Sequence, residues 1–184
     1  LHVGAGTFKP VKAETMQAHE MHAEFIEVES ELIEQLIHHD GLLVAVGTTS
    51  LRTLESLYWF GVKLIHSPEI FNKELPFLSQ WEVYEWVSHP SKKEALTAIL
   101  SFLKEKKTNK FIAKTQIIIA PGYQFKLIDG LVTNFHQPSS TLLLLVAALV
   151  GDDWKRIYNY ALENNFRFLS YGDGSLLWRS DLDK

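Results

Sequence analysis

The chain has 184 residues, 46% of them hydrophobic, and a formal net charge of −4. Its length fits one α/β domain of roughly 100–200 residues with a sizeable core. The absence of cysteine excludes disulfides, thiolate chemistry and Cys-based zinc sites, and it fits a reducing compartment. The acidic balance argues against a generally basic nucleic-acid binder, but the charge is uneven. Residues 1–40 hold two Lys against seven Glu and one Asp, whereas residues 91–126 hold eight Lys and two Glu. Charge runs are most often solvated faces, and a basic segment that meets a phosphate backbone is the alternative.

In chain order, HVGAGTF (residues 2–8) is a glycine-rich turn whose Gly4 and Gly6 let backbone approach a ligand. It lacks the third glycine of a dinucleotide fingerprint. Leu1 is not Met, no signal peptide precedes this turn, and the chain reads as a fragment or a processed polypeptide. HEMHAE (residues 19–24) sets His19 and His22 beside Glu20 and Glu24, but zinc helices place His at i and i+4, so no metal site is expected. Phe25 to Val28 alternates as a strand, and Ser30 is expected to cap a helix to about His39, with Leu32, Ile33, Leu36 and Ile37 inward and Gly41 as its stop.

Leu42 to Val46 reads as a buried strand of the parallel kind. GTTSLRTLES (residues 47–56) then opens a helix ending near Gly61. Its Thr48, Thr49 and Ser50 sit where a helix start offers N–H groups, and Arg52 offers a fork to a carboxylate or phosphate; a capped helix with a surface Arg is the plainer alternative. Lys63 to Ile65 is expected to be a strand, followed by an aromatic, loop-rich excursion over residues 66–90, packed by its own side chains or able to stack a base. Ser91 and Glu94 form a capping box for a helix to about Lys106, with Leu96, Ile99, Leu100 and Leu103 inward and a basic outer face.

Phe111 to Ala120, which contains Ile117, Ile118 and Ile119, is expected to be a strand, closed by the Pro121, Gly122, Tyr123 turn. Asp129 and Gly130 mark the next turn. LVTNFHQPSSTLLLLVAALV (residues 131–150) runs from strand, through a polar turn with Asn134, His136 and Gln137, past Pro138, to a helix with Ser139 or Ser140 as cap. Residues 142–150 are all apolar, so the helix is expected to be buried on every side, and it is too short for the roughly 20 residues that span a bilayer. Asp152 or Asp153 caps a further helix with Trp154, Ile157, Tyr158, Ala161 and Leu162 inside; FRFLSYGDGSLL (residues 166–177) is a strand entering a turn over Ser170 to Asp173. Strand, polar turn and helix recur, which predicts an α/β fold with a mainly parallel sheet and the GTTS, PGY, TNFHQPSST and SYGD turns at its ligand-holding edge.

HVGAGTF, HEMHAE, GTTSLRTLES, APGYQFKLIDGLVTNFHQPSSTLLLLV (residues 120–146) and FRFLSYGD, in this order, resemble the S-adenosylmethionine:tRNA ribosyltransferase-isomerases of queuosine biosynthesis. The resemblance covers nearly the whole chain and is weakest over residues 66–90. It implies transfer and isomerisation of the ribosyl part of S-adenosylmethionine onto 7-aminomethyl-7-deazaguanine at the tRNA wobble position, giving epoxyqueuosine with release of adenine and methionine. It further implies cytoplasmic work, no membrane, no metal and no tightly bound cofactor, S-adenosylmethionine being a co-substrate. The implied fold is barrel-like α/β with flanking helices, and this chain looks like the C-terminal part of that large domain, without the family's N-terminal part and its inserted β-barrel domain. A non-catalytic nucleoside- or tRNA-binding fragment and a sugar-phosphate α/β-barrel enzyme are the alternatives.

As proposed for that family, the reaction wants a base near the ribose and a proton donor for departing adenine. The candidates are His136, Asp173, His22 and Glu24, with His136 preferred because an imidazole titrates near working pH. Thr48, Ser50 and Arg52 are expected to hold the methionine carboxylate or a tRNA phosphate, and Tyr123 or Phe135 to stack on adenine. Gly4, Gly6 and Thr7, with Asn134, Ser140, Thr141 and Tyr171, complete the expected substrate contacts.

Overall fold

The computed structural model describes residues 21–72, 74–87 and 89–182. The elements are β1 (Glu24–Glu29), α1 (Ser30–His38), β2 (Val44–Val46), α2 (Thr48–His66), β3 (Phe77–Leu78), α3 (Lys92–Glu105), β4 (Lys110–Thr115), β5 (Gly130–Asn134), α4 (Thr141–Val150), α5 (Asp153–Glu163) and β6 (Gly174–Trp178), with short 3-10 turns at Pro68–Asn72 and Glu82–Tyr84. The described residues form two compact units, one of Met21–Gly41 and Thr53–Ile117, the other of Leu42–Arg52 and the residues from Ile118 onward.

The first unit is built on a sheet of order β1-β4-β3, antiparallel between β1 and β4 and parallel between β3 and β4. Ile26 and Val28 of β1 and Phe111 and Ala113 of β4 face inward, which is the period-two alternation the sequence shows. Against them lie edge-to-face aromatic pairs, Phe60 with Phe111 at 5.3 Å and Phe71 with Phe102 at 5.6 Å. The Ser56 and Thr115 hydroxyls satisfy each other at 2.8 Å inside this core. Ser91 takes the Glu94 N–H while the Glu94 carboxylate takes the Ser91 N–H, so the capping box of α3 is formed. Ala95, Leu96, Ile99 and Leu103 form its buried stripe, with Leu100 only half-buried.

Several local expectations fail here. Ser30 is the first residue of α1 rather than its cap, the cap position falling on Glu29 in extended backbone, and the Ser30 N–H donates to the Asn109 carbonyl at 2.8 Å; Leu32 stays 44% exposed. Lys63 to Ile65 is the last turn of α2, not a strand. Gly61 does not stop that helix, because its missing Cβ admits α3: a Cβ there would stand 2.1 Å from the Ala95 carbonyl oxygen. The strand expected within residues 111–120 is β4, which ends at Thr115, and Ile117 to Ile119 are buried beyond its end.

The second unit has the sheet order β2-β5-β6. β2 and β5 are parallel, with Val44, Ala45 and Val46 beside Gly130, Leu131 and Val132. β6 is antiparallel to β5, so each sheet is mixed, and the mainly parallel sheet of the sequence reading is found at only two of four pairings. Antiparallel return is possible because the strand of the last segment lies after the SYGD turn, not before it. α4 is capped by Ser140, whose Oγ accepts from the Leu143 N–H at 3.2 Å. Six of its residues are buried, while Leu143, Leu144 and Ala148 are half-buried. In α5, Asp152 occupies the cap position without a side-chain bond, and Leu162 points to solvent at 63% exposure while Tyr158 and Ala161 are buried.

Candidate active site at one edge of the second unit

Parallel pairing of β2 and β5 brings the carboxyl ends of both strands to one edge. Val46 lies beside Val132, and the Gly47 N–H donates to the Val132 carbonyl at 2.8 Å. Gly47, at φ +90, turns the chain into α2, in a backbone region that favours glycine. One strand further, β6 enters at the same edge, Asn134 being opposite Gly174. The register thus gathers the GTTS, TNFHQ and SYGD turns. The PGY turn lies in the connection before β5, and no strand pairing among the described residues ties it to this edge.

At the start of α2, Thr48 and Thr49 are buried, Ser50 is half-buried, and Arg52 is buried and partnered. The first turn of this helix contains no acidic residue, and a helix start of this kind attracts an anion. Arg52 is therefore an interior side chain and not the surface Arg of the plainer reading.

His136 sits in the turn after β5 and is only 6% exposed. Its Nε2 lies 3.0 Å from the Thr133 Oγ1, and its backbone N–H donates to the Tyr158 hydroxyl at 3.0 Å. Burial lowers its pKa from 6.5 to about 4. At neutral pH the ring is uncharged, which corrects the expectation that it titrates near working pH. Thr133 and Tyr158 were not among the sequence candidates: one reads as a strand residue and the other as a core position of α5.

Asp173 closes the SYGD turn. Its Oδ2 accepts the Arg167 backbone N–H at 2.7 Å, its Oδ1 accepts from Arg167 Nη2 at 3.0 Å, and its own N–H donates to the Arg167 carbonyl at 2.9 Å. These hydrogen bonds hold the carboxyl below the usual range, so Asp173 is an ionised clasp. Gly172 is obligatory in the turn, because a Cβ there would stand 2.3 Å from the Arg167 carbonyl oxygen. Asn134 Nδ2 donates to the Gly172 carbonyl at 3.4 Å, tying the two turns together.

The aromatic candidates separate. Phe135 is buried among Tyr158, Phe166 and Phe168, each with its ring centroid 5.5 Å away. Tyr123 is buried against Phe125, and Tyr171 is almost fully exposed at 96%. Ser140 is spent on its cap and on a bond to the Gln137 carbonyl, and Thr141 is half-buried at the first position of α4. Beside the edge, Phe135, Arg156, Tyr160, Phe166 and Ser175 line a cleft of about 470 Å³ that the sequence did not reveal. His22 and Glu24 belong to the first unit, His22 exposed and Glu24 opening β1 opposite Thr115. Gly4, Gly6, Thr7, His19 and Glu20 lie outside the described residues. Among the described residues, no group of three His, Asp or Glu is placed to hold a metal.

Polar turns and a helix start lie together at the carboxyl edge of a sheet, the place where α/β folds commonly bind ligands. Comparison with known proteins makes this specific. The family described as queuosine biosynthesis protein matches residues 1–177. S-adenosylmethionine:tRNA ribosyltransferase-isomerases of Chelativorans sp. and Phenylobacterium zucineum are each 40% identical to the chain, over 98% of its length and 39% of theirs. The crystal structure of S-adenosylmethionine tRNA ribosyltransferase from Thermotoga maritima shares 30% identity and a TM-score of 0.52, across 83% of this chain and 39% of that one. The chain belongs to the queuosine biosynthesis protein family, and it spans 39% of the length of these curated relatives.

Proposed function

We propose that this chain is part of an enzyme that transfers and isomerises the ribosyl moiety of S-adenosylmethionine onto 7-aminomethyl-7-deazaguanine in tRNA, forming epoxyqueuosine and releasing adenine and methionine. The observation that carries the reading is 40% identity to two proteins named for that activity, across 98% of this chain. Family membership favours it over a non-catalytic binding fragment and over a sugar-phosphate enzyme. In this reading the two units are sections of a barrel-like large domain, and the enzyme works in the cytoplasm, on tRNA. Among the described residues no helix is long and apolar enough to cross a membrane.

The start of α2, with Thr48 and Ser50, receives the methionine carboxylate or a tRNA phosphate, and Arg52 supplies positive charge behind it. Asn134, Thr141 and the Tyr171 turn border the substrate. His136 enters as a neutral imidazole, able to accept a proton weakly but unable to donate one at pH 7. Asp173, held ionised, is likewise no donor. His22 and Glu24 remain candidates from the first unit.

The test is to incubate this chain and the full-length Phenylobacterium zucineum relative separately with S-adenosylmethionine and tRNA bearing the deazaguanine precursor, and to assay adenine. Release by the relative, with none or far less from the chain alone, is the expected result. Failure by both would remove the reading.

A further inference from the structure

Thr133 places a hydroxyl where an apolar side chain would fit. It lies on the buried face of β5, the face of Leu131, while Val132 between them points outward. A buried hydroxyl is costly unless it is hydrogen-bonded. Backbone pairing opposite Ser175 of β6 holds the residue, and the Ser175 Oγ donates to its carbonyl at 3.2 Å. Its own Oγ1 lies 3.0 Å from His136 Nε2, and among the described residues this is the hydroxyl's hydrogen-bond partner. The backbone of His136 is fixed separately, its N–H donating to the Tyr158 hydroxyl of α5 at 3.0 Å. Ring and backbone of His136 are thus held by different elements.

A hydroxyl carries a single hydrogen. Directed at Nε2, that hydrogen requires a lone pair there, and a neutral imidazole with its lone pair on Nε2 carries its proton on Nδ1. Burial keeps the ring neutral at pH 7. We propose that Thr133 is a positioning residue that holds His136 as the Nδ1–H tautomer, so that the turn after β5 offers the nucleoside part of the substrate a neutral hydrogen-bond donor and not a base. On the ribosyl-transfer reading, on which this rests, the role of His136 narrows. The nitrogen that could accept a proton is spent on Thr133, and Nδ1, with no hydrogen bond among the described residues, is the one left for a ligand. S-adenosylmethionine carries a sulfonium charge, which an imidazolium would repel and an uncharged N–H does not. A preorganised neutral donor stabilises charge that develops on a substrate nitrogen or oxygen in the transition state.

Nitrogen-15 NMR of the histidine rings reads the tautomer directly, because protonated and unprotonated ring nitrogens resonate far apart. The chain has eight His, and His136→Gln identifies the signals of interest by their loss. At neutral pH, His136 is expected to show a protonated Nδ1 and a lone pair on Nε2. Thr133→Val keeps the shape of the side chain and removes its hydroxyl, so the ring should move toward the Nε2–H form, and Thr133→Ser should restore the parent pattern. The other histidine signals report that each variant is folded. A proton on Nε2 in the parent, or an unchanged ring in Thr133→Val, overturns the proposal. Activity is read in a chimera in which the chain replaces the aligned region of the Phenylobacterium zucineum relative. There Thr133→Val should lower kcat for adenine release about tenfold or more, with recovery in Thr133→Ser. Parent-like kcat in Thr133→Val overturns the positioning role. A parent chimera that releases no adenine rejects the ribosyl-transfer reading instead, while the ring spectrum still decides the tautomer.

Discussion

His136 shows how a single residue changes meaning once its surroundings are known. In the sequence it is a titrating imidazole in a polar turn; in the fold its backbone N–H is bound by Tyr158, 22 residues away, and its ring is buried. No local pattern could supply that partner. Because the folded pKa, about 4, lies below the unfolded 6.5, the unfolded chain alone takes up the proton between these values. Stability is therefore full above pH 6.5, falls by roughly 3 kcal/mol as the pH drops to about 4, and levels off below. Denaturant unfolding across that range, with His136→Gln as the comparison lacking this component, checks it; an unchanged slope in the variant rejects the assignment. Asp173 has the opposite logic: its carboxyl is lowered by the bonds to Arg167, so its contribution is present at neutral pH and is lost in acid. Asp173→Asn should speed amide exchange at Arg167 and Asp173, with the core of α4 unchanged.

At the scale of elements, the capping box of α3 and the Ser140 cap of α4 were legible because both are local chemistry: hydroxyl, spacing and the free N–H groups of a first turn. Ser140→Ala should cost about 1 kcal/mol in denaturant unfolding. The Lys63 to Ile65 strand was misread because a glycine followed by alternating residues looks like a stop and a strand. The reason for Gly61 is the Ala95 backbone on α3, which no neighbouring residue announces. Gly61→Ala should cost about 2 kcal/mol or more through overpacking, and a variant as stable as the parent would refute that close approach. Likewise, the antiparallel return of β6 depends on pairing with β5, so the sequence could identify the SYGD turn while misplacing the strand beside it.

At the scale of the molecule, the family was legible from ordered motifs, and three of the four polar turns meet at one edge because β2 and β5 run parallel. The burial of Arg52 was not legible, nor was the engagement of Phe135, whose ring partners lie in later segments of the chain. The basic composition of residues 91–126 also acquires a place. Lys104, Lys106 and Lys107 are exposed around the end of α3, where Lys106 Nζ lies 3.9 Å from the Glu105 carboxylate. If this end meets the tRNA backbone, changing all three to Glu should weaken tRNA binding and reduce the slope of log affinity against log salt by up to about three contacts' worth. Binding unchanged between low and high salt would discard the contact.

The clasped turn between Arg167 and Asp173 has a practical consequence. Its neck is closed by the hydrogen bonds between Arg167 and Asp173, and the Leu169 N–H is anchored to the Phe135 carbonyl at 2.9 Å, yet Tyr171 stands out in solvent. A fixed loop that carries an almost fully exposed tyrosine is a good mount for a reporter. A fluorophore on Tyr171→Cys would sense ligand arrival at the edge while leaving the backbone that carries it undisturbed, whereas the same change at Gly172 would spring the clasp.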